Sequence, residues 1–192
     1  MNKLKDGMLL FHGSYTTVRE IKLEKCSNAK DFGKGFYLLS SLAQARAFIH
    51  SSLRKALNAG DIAADQNHGY VSSFRYHEPA DGIEVYEFPT TNRDWLWFVA
   101  QNRRERLAKQ LRDKIDPQIF RAESTVGKVA NDNTNATIAA YVGGLYGKIE
   151  SEEAVNDAIK RLMPDKLEDQ FCFLTERAIS CLEFQEARKY VV

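Results

Sequence analysis

Two short apolar segments, each next to glycine, constrain the fold of this chain most. Residues 8–11 read MLLF and are followed by His12 and Gly13. Residues 31–38 read DFGKGFYL, so a glycine-rich turn leads into a second apolar run that carries Tyr37. Short apolar runs bounded by turn residues are typical of buried strands. The pattern therefore predicts two strands, with a His-Gly pair ending the first and a tyrosine near the start of the second.

The His-Gly pair and the tyrosine together suit a flat ring that bears an amide. A carboxamide needs one donor and one acceptor, and the backbone of Gly13 can offer both because no side chain covers it. His12 can hydrogen-bond a ribose hydroxyl, and Tyr37 offers a ring face for stacking. These features favour a nicotinamide pocket, and so a protein that uses NAD without being a dehydrogenase. Taken alone, His12 could instead be a packed or exposed histidine at the end of a strand, and the glycine-rich segment could be an ordinary tight turn.

The glycine-rich turn lacks the features of two common nucleotide loops. No third glycine follows Gly33 and Gly35, and no helix is predicted to begin there, so it is not a dinucleotide fingerprint. Lys34 is followed by glycine, where a phosphate loop has serine or threonine. The other histidines are scattered without the spacing of metal ligands, so no metal site is predicted.

Length and composition predict one soluble domain, residues 1–192. Hydrophobic residues make up 44% and charged residues 28%, as in ordinary globular proteins. The formal net charge of +1 gives no overall attraction to nucleic acid or membrane, although a local basic patch stays open. Cys26, Cys172 and Cys181 have no Cys-x-x-Cys spacing, and neither a signal peptide nor a membrane span is indicated. We expect a cytoplasmic protein, with secretion by a signal-free route as the alternative.

Strands and helices are predicted without strict alternation, which favours an α+β fold over a doubly wound parallel sheet. Ser41 and Gln44 form a capping box before a helix that should end near residues 58–60. Further predicted helices span 94–111, 134–146 and 152–163, the last capped by Ser151. Predicted strands comprise a hairpin of 71–77 with 83–88, a strand pair within 119–130, a strand over 169–174 and a closing strand over 182–192. Thr175 should cap a short helical turn between the last two.

Three segments in this order resemble the core motifs of the ADP-ribosyltransferase superfamily: LFHGS at 10–14, DFGKGFYL at 31–38 and DQFCF at 169–173. The branch is the one with a His, a Tyr and a variable third residue, shared by diphtheria-type toxins and poly(ADP-ribose) polymerases. More closely, the chain is similar to an uncharacterised bacterial family of that branch, which also has Ala-Asn-Asp-Asn, here at 130–133. The resemblance covers residues 9–184 and implies a split β-sandwich: two small packed sheets around a cleft, with flanking helices.

The resemblance also implies roles for single residues. His12 would bind the ribose distal to adenosine, Gly13 would hold the nicotinamide amide, and Tyr37 would stack on the nicotinamide ring. Together with Gln170, His12 and Tyr37 form the expected catalytic set. The other expected NAD contacts are Ser14, Gly35, Phe36, Asn131 and Asp132. For Asn131 and Asp132 a helix N-cap is an equal alternative.

Gln170 departs from the glutamate that active transferases usually have at the third motif. Cleavage of the nicotinamide–ribose bond builds positive charge on the sugar, as glycoside cleavage does, and a carboxylate stabilises that charge. Gln170 can accept a hydrogen bond but has no negative charge and cannot act as a general base. Removing one electrostatic stabiliser typically slows a reaction about 100-fold or more. Asp169 should point to the opposite face of the strand, so it is a poor substitute.

The resemblance implies an NAD-dependent ADP-ribosyltransferase with NAD as co-substrate and NAD glycohydrolase as a side activity. The acceptor would be an unidentified protein or nucleic acid, and a bacterial toxin paired with an antitoxin protein is the expected setting. One alternative is a non-catalytic NAD- or ADP-ribose-binding module, which Gln170 favours. A second alternative, RNA 2′-phosphate transfer, ranks lower because the arginines of 103–112 cluster on one predicted helix. That cluster is predicted to be a solvated helix face, with a docking surface for phosphate or nucleic acid as the alternative.

Overall fold

The computed structural model describes residues 3–28, 30–104, 109–129, 134–162 and 169–192. Within these ranges the chain is α+β, as predicted, with a seven-stranded mixed sheet and five α-helices. The strands are β1 Leu9–Ser14, β2 Phe36–Leu39, β3 His68–Tyr76, β4 Val85–Glu87, β5 Ser124–Lys128, β6 Asp169–Phe173 and β7 Leu182–Val191. The helices are α1 Leu42–Ala59, α2 Arg93–Arg103, α3 Thr134–Val142, α4 Glu152–Leu162 and α5 Glu176–Ser180, with 3₁₀ turns at Leu23–Lys25, Lys109–Lys114 and Pro117–Arg121.

The strands pair in the order β4-β5-β6-β2-β1-β3-β7, and only β4 and β5 run parallel among these neighbours. Two separate sheets were expected, but β1 and β2 connect the two halves through the pair Phe11 and Leu39. The outer pairs are longer: β3 pairs with β7 from His68 to Tyr76, with a shift of register between Ser73 and Phe74. The sheet is therefore continuous but narrow at its centre, where β1 and β2 diverge.

Buried side chains form three clusters around this sheet. Helix α2 is buried from Trp95 to Gln101, because the six consecutive apolar residues at 95–100 cover all sides of the helix there. It packs with α3 and α4 around Trp95, Phe98 and Ile138, so the expected core position of its aromatic residues is confirmed. A second cluster surrounds Phe36, Phe74, Phe171 and Phe173, and a third lies under α1. No helix in the described ranges is long and apolar enough to cross a membrane.

The predicted N-caps at Ser41 and Thr175 are confirmed, but the second half of the Ser41–Gln44 capping box does not form, because Gln44 Oε1 is buried without a hydrogen-bond partner among the described residues. The Ser41 hydroxyl accepts a hydrogen bond from the Gln44 backbone nitrogen at 3.3 Å, and α1 ends at Gly60 in the left-handed conformation. Thr175 caps α5 in the same way, accepting from the Ala178 nitrogen at 3.1 Å. These ends depend on residues within one turn of the chain, which is why their positions follow from the sequence.

Three predictions of strand pairing and helix length were wrong. β3 pairs with β1 and β7, and β4 pairs in parallel with β5, so the expected hairpin does not form. Helix α2 ends at Arg103, and the described residues of this segment, 119–129, hold the single strand β5 after a 3₁₀ turn. Gly127 is not a turn residue: a Cβ there would lie 2.8 Å from the Phe32 ring, so the glycine leaves room for that side chain.

Candidate active site

A cavity of about 390 Å³ lies beside β1 and β2 near their single residue pair. β1 contributes Phe11, His12 and Gly13 to its wall, and β2 contributes Tyr37 and Leu39. Gln170 of β6 also lines it, so the structure brings three motif residues to one place. The remaining wall comes from α1, from residues 30–31 and from Arg103 and Val129.

His12 is held in one tautomer. Its Nδ1 lies 2.9 Å from the Tyr37 backbone oxygen, and because a carbonyl only accepts, Nδ1 must carry the hydrogen. Burial lowers the pKa of His12, the hydrogen bond to Tyr37 raises it by a smaller amount, and the nearby charge of Lys30 lowers it again. The ring is therefore neutral near pH 7, which leaves Nε2 as a hydrogen-bond acceptor.

Tyr37 is fixed by its own hydroxyl. That hydroxyl donates to the Gly33 oxygen at 2.8 Å and accepts from the Phe32 nitrogen at 2.9 Å. Burial raises the pKa of Tyr37 well above its ordinary value, so the group stays protonated. Gly33 has φ +89°, a conformation that side chains disfavour, and it brings its carbonyl to the tyrosine. The glycine-rich turn thus anchors a ring that lines the cavity.

Gln170 contacts a carboxylate that had no expected role. Its Nε2 donates to Asp31 Oδ2 at 3.0 Å and to the Lys128 oxygen at 3.2 Å. Asp31 Oδ1 in turn accepts from Arg103 Nε at 2.5 Å. Both Asp31 and Gln170 are nearly inaccessible, at 3% and 5% exposure, yet both line the cavity. Asp169 does not line it and pairs with Lys128, consistent with its expected position on the opposite face of the strand.

Positive charge dominates the cavity wall. Lys30, Arg54, Lys55 and Arg103 all line it, against the single carboxylate of Asp31 among the described lining residues. Burial lowers the pKa of Lys30, and the charges of Lys55 and Arg103 lower it further. A bound anion would offset the repulsion among these cations and stabilise their charged forms. The wall therefore suits a ligand with phosphate groups.

Gly13 lines the cavity, but it also has a packing role. A Cβ at this position would lie 1.8 Å from the backbone oxygen of Ala45 in α1. Helix α1 can approach β1 this closely only because residue 13 has no side chain. The glycine is thus required by the fold whether or not a ligand uses its backbone.

A comparison with known protein families matches the part of the chain that carries the cavity. Residues 8–184 match the family model described as Protein of unknown function (DUF3990). The chain belongs to this family. No curated protein matches it in sequence. The matched range includes all cavity residues named above, so the site lies wholly within the DUF3990 domain.

Several expected ligand residues of this DUF3990 domain do not line the cavity. Ser14 is buried, and its hydroxyl accepts from the Thr16 nitrogen at 3.5 Å. Gly35 lies where a Cβ would be 2.5 Å from Cys172 Sγ. Phe36 packs in the core, with its ring centroid 4.7 Å from that of His12. Asn131 and Asp132 lie outside the described residues.

Two groups of cavity residues were missed or misread in the sequence. Arg103 was assigned to a solvated helix face, yet its side chain is only 17% exposed and binds Asp31. Lys30 and Asp31 directly precede the glycine-rich turn, and Asp31 is the first residue of the quoted motif. For Asp31 that position was the available signal, because its side-chain partners Arg103 and Gln170 lie far along the chain.

Proposed function

We propose that this chain binds NAD in the cavity and transfers its ADP-ribose unit to an acceptor, releasing nicotinamide. The observation that carries the proposal is that His12, Tyr37 and Gln170, from three separate segments, line one cavity. The cationic wall formed by Lys30, Lys55 and Arg103 supports it, because NAD carries two phosphates.

Each motif residue has a chemical part in this reaction. Tyr37 would stack on the nicotinamide ring, and His12 Nε2 would accept a hydrogen bond from the adjacent ribose. The bond from ribose C1 to the nicotinamide nitrogen breaks with its electron pair leaving on nicotinamide. The acceptor then bonds C1 and gives up a proton; water in its place yields NAD hydrolysis. Gln170 Oε1 would accept a hydrogen bond from the sugar as its positive charge grows.

The proposal extends to the fold, which we assign to the ADP-ribosyltransferase type. Supporting observations are the narrow join between β1 and β2 at Phe11 and Leu39, and the cavity next to it. Such a join resembles a sheet divided into two halves around a cleft. The acceptor would be a protein or nucleic acid, the setting a cytoplasmic bacterial toxin, and the further partner an antitoxin protein.

A non-catalytic NAD- or ADP-ribose-binding module is the second candidate. It is favoured by the two hydrogen bonds of Gln170, which fix an uncharged amide where a catalytic carboxylate would be expected. Such a site can bind a nucleotide while stabilising the transition state weakly. Binding without nicotinamide release would select this candidate.

RNA 2′-phosphate transfer gains support from one observation. Its low rank depended on arginines clustered on one helix, but the cavity cations come from three segments: Lys30, Arg54 with Lys55, and Arg103. Phosphates of RNA could meet the same wall. An oligonucleotide with an internal 2′-phosphate, tested with NAD, separates this reaction from protein modification.

The test combines binding with turnover. NAD should raise the melting temperature of purified protein, and nicotinamide should accumulate over time in the same sample. His12→Ala and Tyr37→Ala should reduce both effects, whereas His50→Ala, on the exposed face of α1, should preserve them. If wild type shows neither a melting shift nor nicotinamide release, both the enzyme and the binding module are refuted. If nicotinamide is released, labelled NAD added to a cell lysate, followed by mass spectrometry, would identify the acceptor.

A further inference from the structure

Asp31 is a buried carboxylate on the cavity wall with donors on both oxygens. Arg103 Nε lies 2.5 Å from Oδ1, and Gln170 Nε2 lies 3.0 Å from Oδ2. The Asn102 side chain also donates to the Asp31 backbone oxygen at 3.1 Å, which holds the main chain in place. An ionised carboxylate only accepts hydrogen bonds, so each partner must present an N–H to it.

This arrangement leaves the Gln170 amide one favourable orientation. Its nitrogen donates to two acceptors, the Asp31 carboxylate and the Lys128 carbonyl. Turning the amide over would place Oε1 against both acceptors and lose two hydrogen bonds, one of them to a charged group. With both amide hydrogens engaged, Oε1 is the polar atom through which Gln170 can serve the cavity that it lines.

We propose that Asp31 is a positioning residue: held by Arg103, it orients the Gln170 amide so that the cavity selects a ligand that donates a hydroxyl hydrogen bond to Oε1. The ligand part of this inference rests on the proposed NAD site, where the 2-hydroxyl of the ribose beside nicotinamide is the donor. A glutamate at position 170 would bring a negative charge to the cavity wall. In this protein the nearest carboxylate is that of Asp31, which is hydrogen-bonded to the Gln170 amide.

The orientation can be measured without any ligand. In ¹⁵N-labelled full-length protein, the Gln170 side-chain amide is assigned by its disappearance in Gln170→Ala. Its hydrogen exchange should be about 10-fold or more faster in Asp31→Asn than in wild type, because a charge-assisted hydrogen bond is lost. Unchanged exchange would overturn the positioning role. If Asp31→Asn does not fold, Arg103→Lys, which loosens Asp31 without removing it, is measured in its place and should also speed exchange.

Asp169→Asn is the matched control. Asp169 is as buried as Asp31, at 3% exposure each, and it also pairs with one cation, Lys128, at 3.2 Å. It makes no hydrogen bond to the Gln170 side chain among those that the structure describes. Both variants therefore remove a buried carboxylate that pairs with a cation, and only Asp31→Asn removes the carboxylate that binds the Gln170 amide. Exchange accelerated equally by Asp169→Asn would show a general loosening and overturn the proposal.

The selection for a hydroxyl is tested with NAD and an NAD analogue that lacks the 2-hydroxyl on the nicotinamide ribose. Wild type should bind NAD about 10-fold tighter than the analogue, the value of one hydrogen bond to a buried acceptor. That ratio should fall towards one in Asp31→Asn and persist in Asp169→Asn. Equal binding of both ligands by wild type would overturn the selection. Binding of neither would refute the proposed NAD site and the selection with it, while amide exchange still decides the positioning role.

Discussion

The His12 ring donates a hydrogen bond from Nδ1 to the backbone oxygen of Tyr37 at 2.9 Å, across 25 residues of sequence. This bond ties β1 to β2 close to their single residue pair, and His12 lies inside β1 and not at its end as predicted. It joins the first two motifs directly. The unprotonated Nε2 that it leaves is the basis of the first prediction.

Protonation of His12 should destabilise the folded protein. Burial holds the pKa of His12 below 6.5, so in acid the unfolded chain binds a proton that the folded chain resists. The free energy of unfolding should therefore fall as the pH drops below about 6.5, the ordinary pKa of histidine. His12→Gln should flatten this part of the pH profile in denaturant titrations from pH 8 to pH 5. His50→Gln, at an exposed position, should keep the wild-type profile.

The hydroxyl and the ring of Tyr37 should have separable effects. Tyr37→Phe leaves the Gly33 oxygen and the Phe32 nitrogen without their partner, which should lower the free energy of unfolding by about 1–3 kcal/mol. It keeps the ring, so NAD affinity should change much less than in Tyr37→Ala. Thermal unfolding with and without NAD measures both quantities. Equal loss of affinity in the two variants would contradict stacking by the ring.

A glutamate at position 170 should not by itself make the protein a faster transferase than wild type. Gln170→Glu would put a second carboxylate about 3 Å from Asp31 and remove both donors, and like charges that close raise the pKa of the new acid. The variant should be less stable at pH 7 than wild type by about 1–3 kcal/mol, and more nearly equal to it in acid, where the new acid is protonated.

Combining Gln170→Glu with Asp31→Asn should relieve this repulsion, because the asparagine can donate where the aspartate could not. The double variant should regain stability at pH 7 relative to Gln170→Glu alone, by denaturant titration. It should also release nicotinamide faster than either single variant, by about 10-fold or more if the carboxylate now faces the sugar. Additive stability changes would indicate that the two side chains act independently.

Neutralising Lys30 should weaken NAD binding without weakening the fold. Lys30 lies among Lys55 and Arg103, whose charges disfavour its own, so Lys30→Gln removes a repulsion from the free protein. Its unfolding free energy should stay the same or rise, while NAD affinity should fall about 10-fold through loss of a charged phosphate contact. Calorimetric titration at two salt concentrations checks this, since the variant should also show a weaker salt dependence. Lys160→Gln, exposed on α4, is the control and should bind like wild type.

Gly13→Ala should destabilise the protein before it informs on ligand binding. The new methyl group would lie 1.8 Å from the Ala45 oxygen, so α1 must shift away from β1. Overpacking of this kind typically lowers stability by about 1–3 kcal/mol. Gly60→Ala, where no atom lies within 4 Å but φ is +78°, should lower it by about 1 kcal/mol through backbone strain alone. A smaller effect at Gly13 than at Gly60 in chemical denaturation would contradict the close helix contact.

Local sequence signals were enough to predict the strands that carry the site and the cap of the first long helix. The strands carrying His12, Tyr37 and Gln170 and the cap of α1 at Ser41 were predicted because apolar runs and capping residues act over a few neighbours. The partners of β3 and β4 were not predicted correctly, because several strands compete for each edge and the outcome depends on the whole sheet.

The hydrogen bonds that connect the site depend on contacts between distant segments of the chain. Asp31 meets Arg103 across 72 residues and Gln170 across 139, so no local pattern could reveal that one carboxylate holds both. The contact with Asp31 also places Arg103, which was predicted to be solvated, on the cavity wall. Buried polar groups need partners, and the partner that satisfies each one is selected by the packing of distant segments.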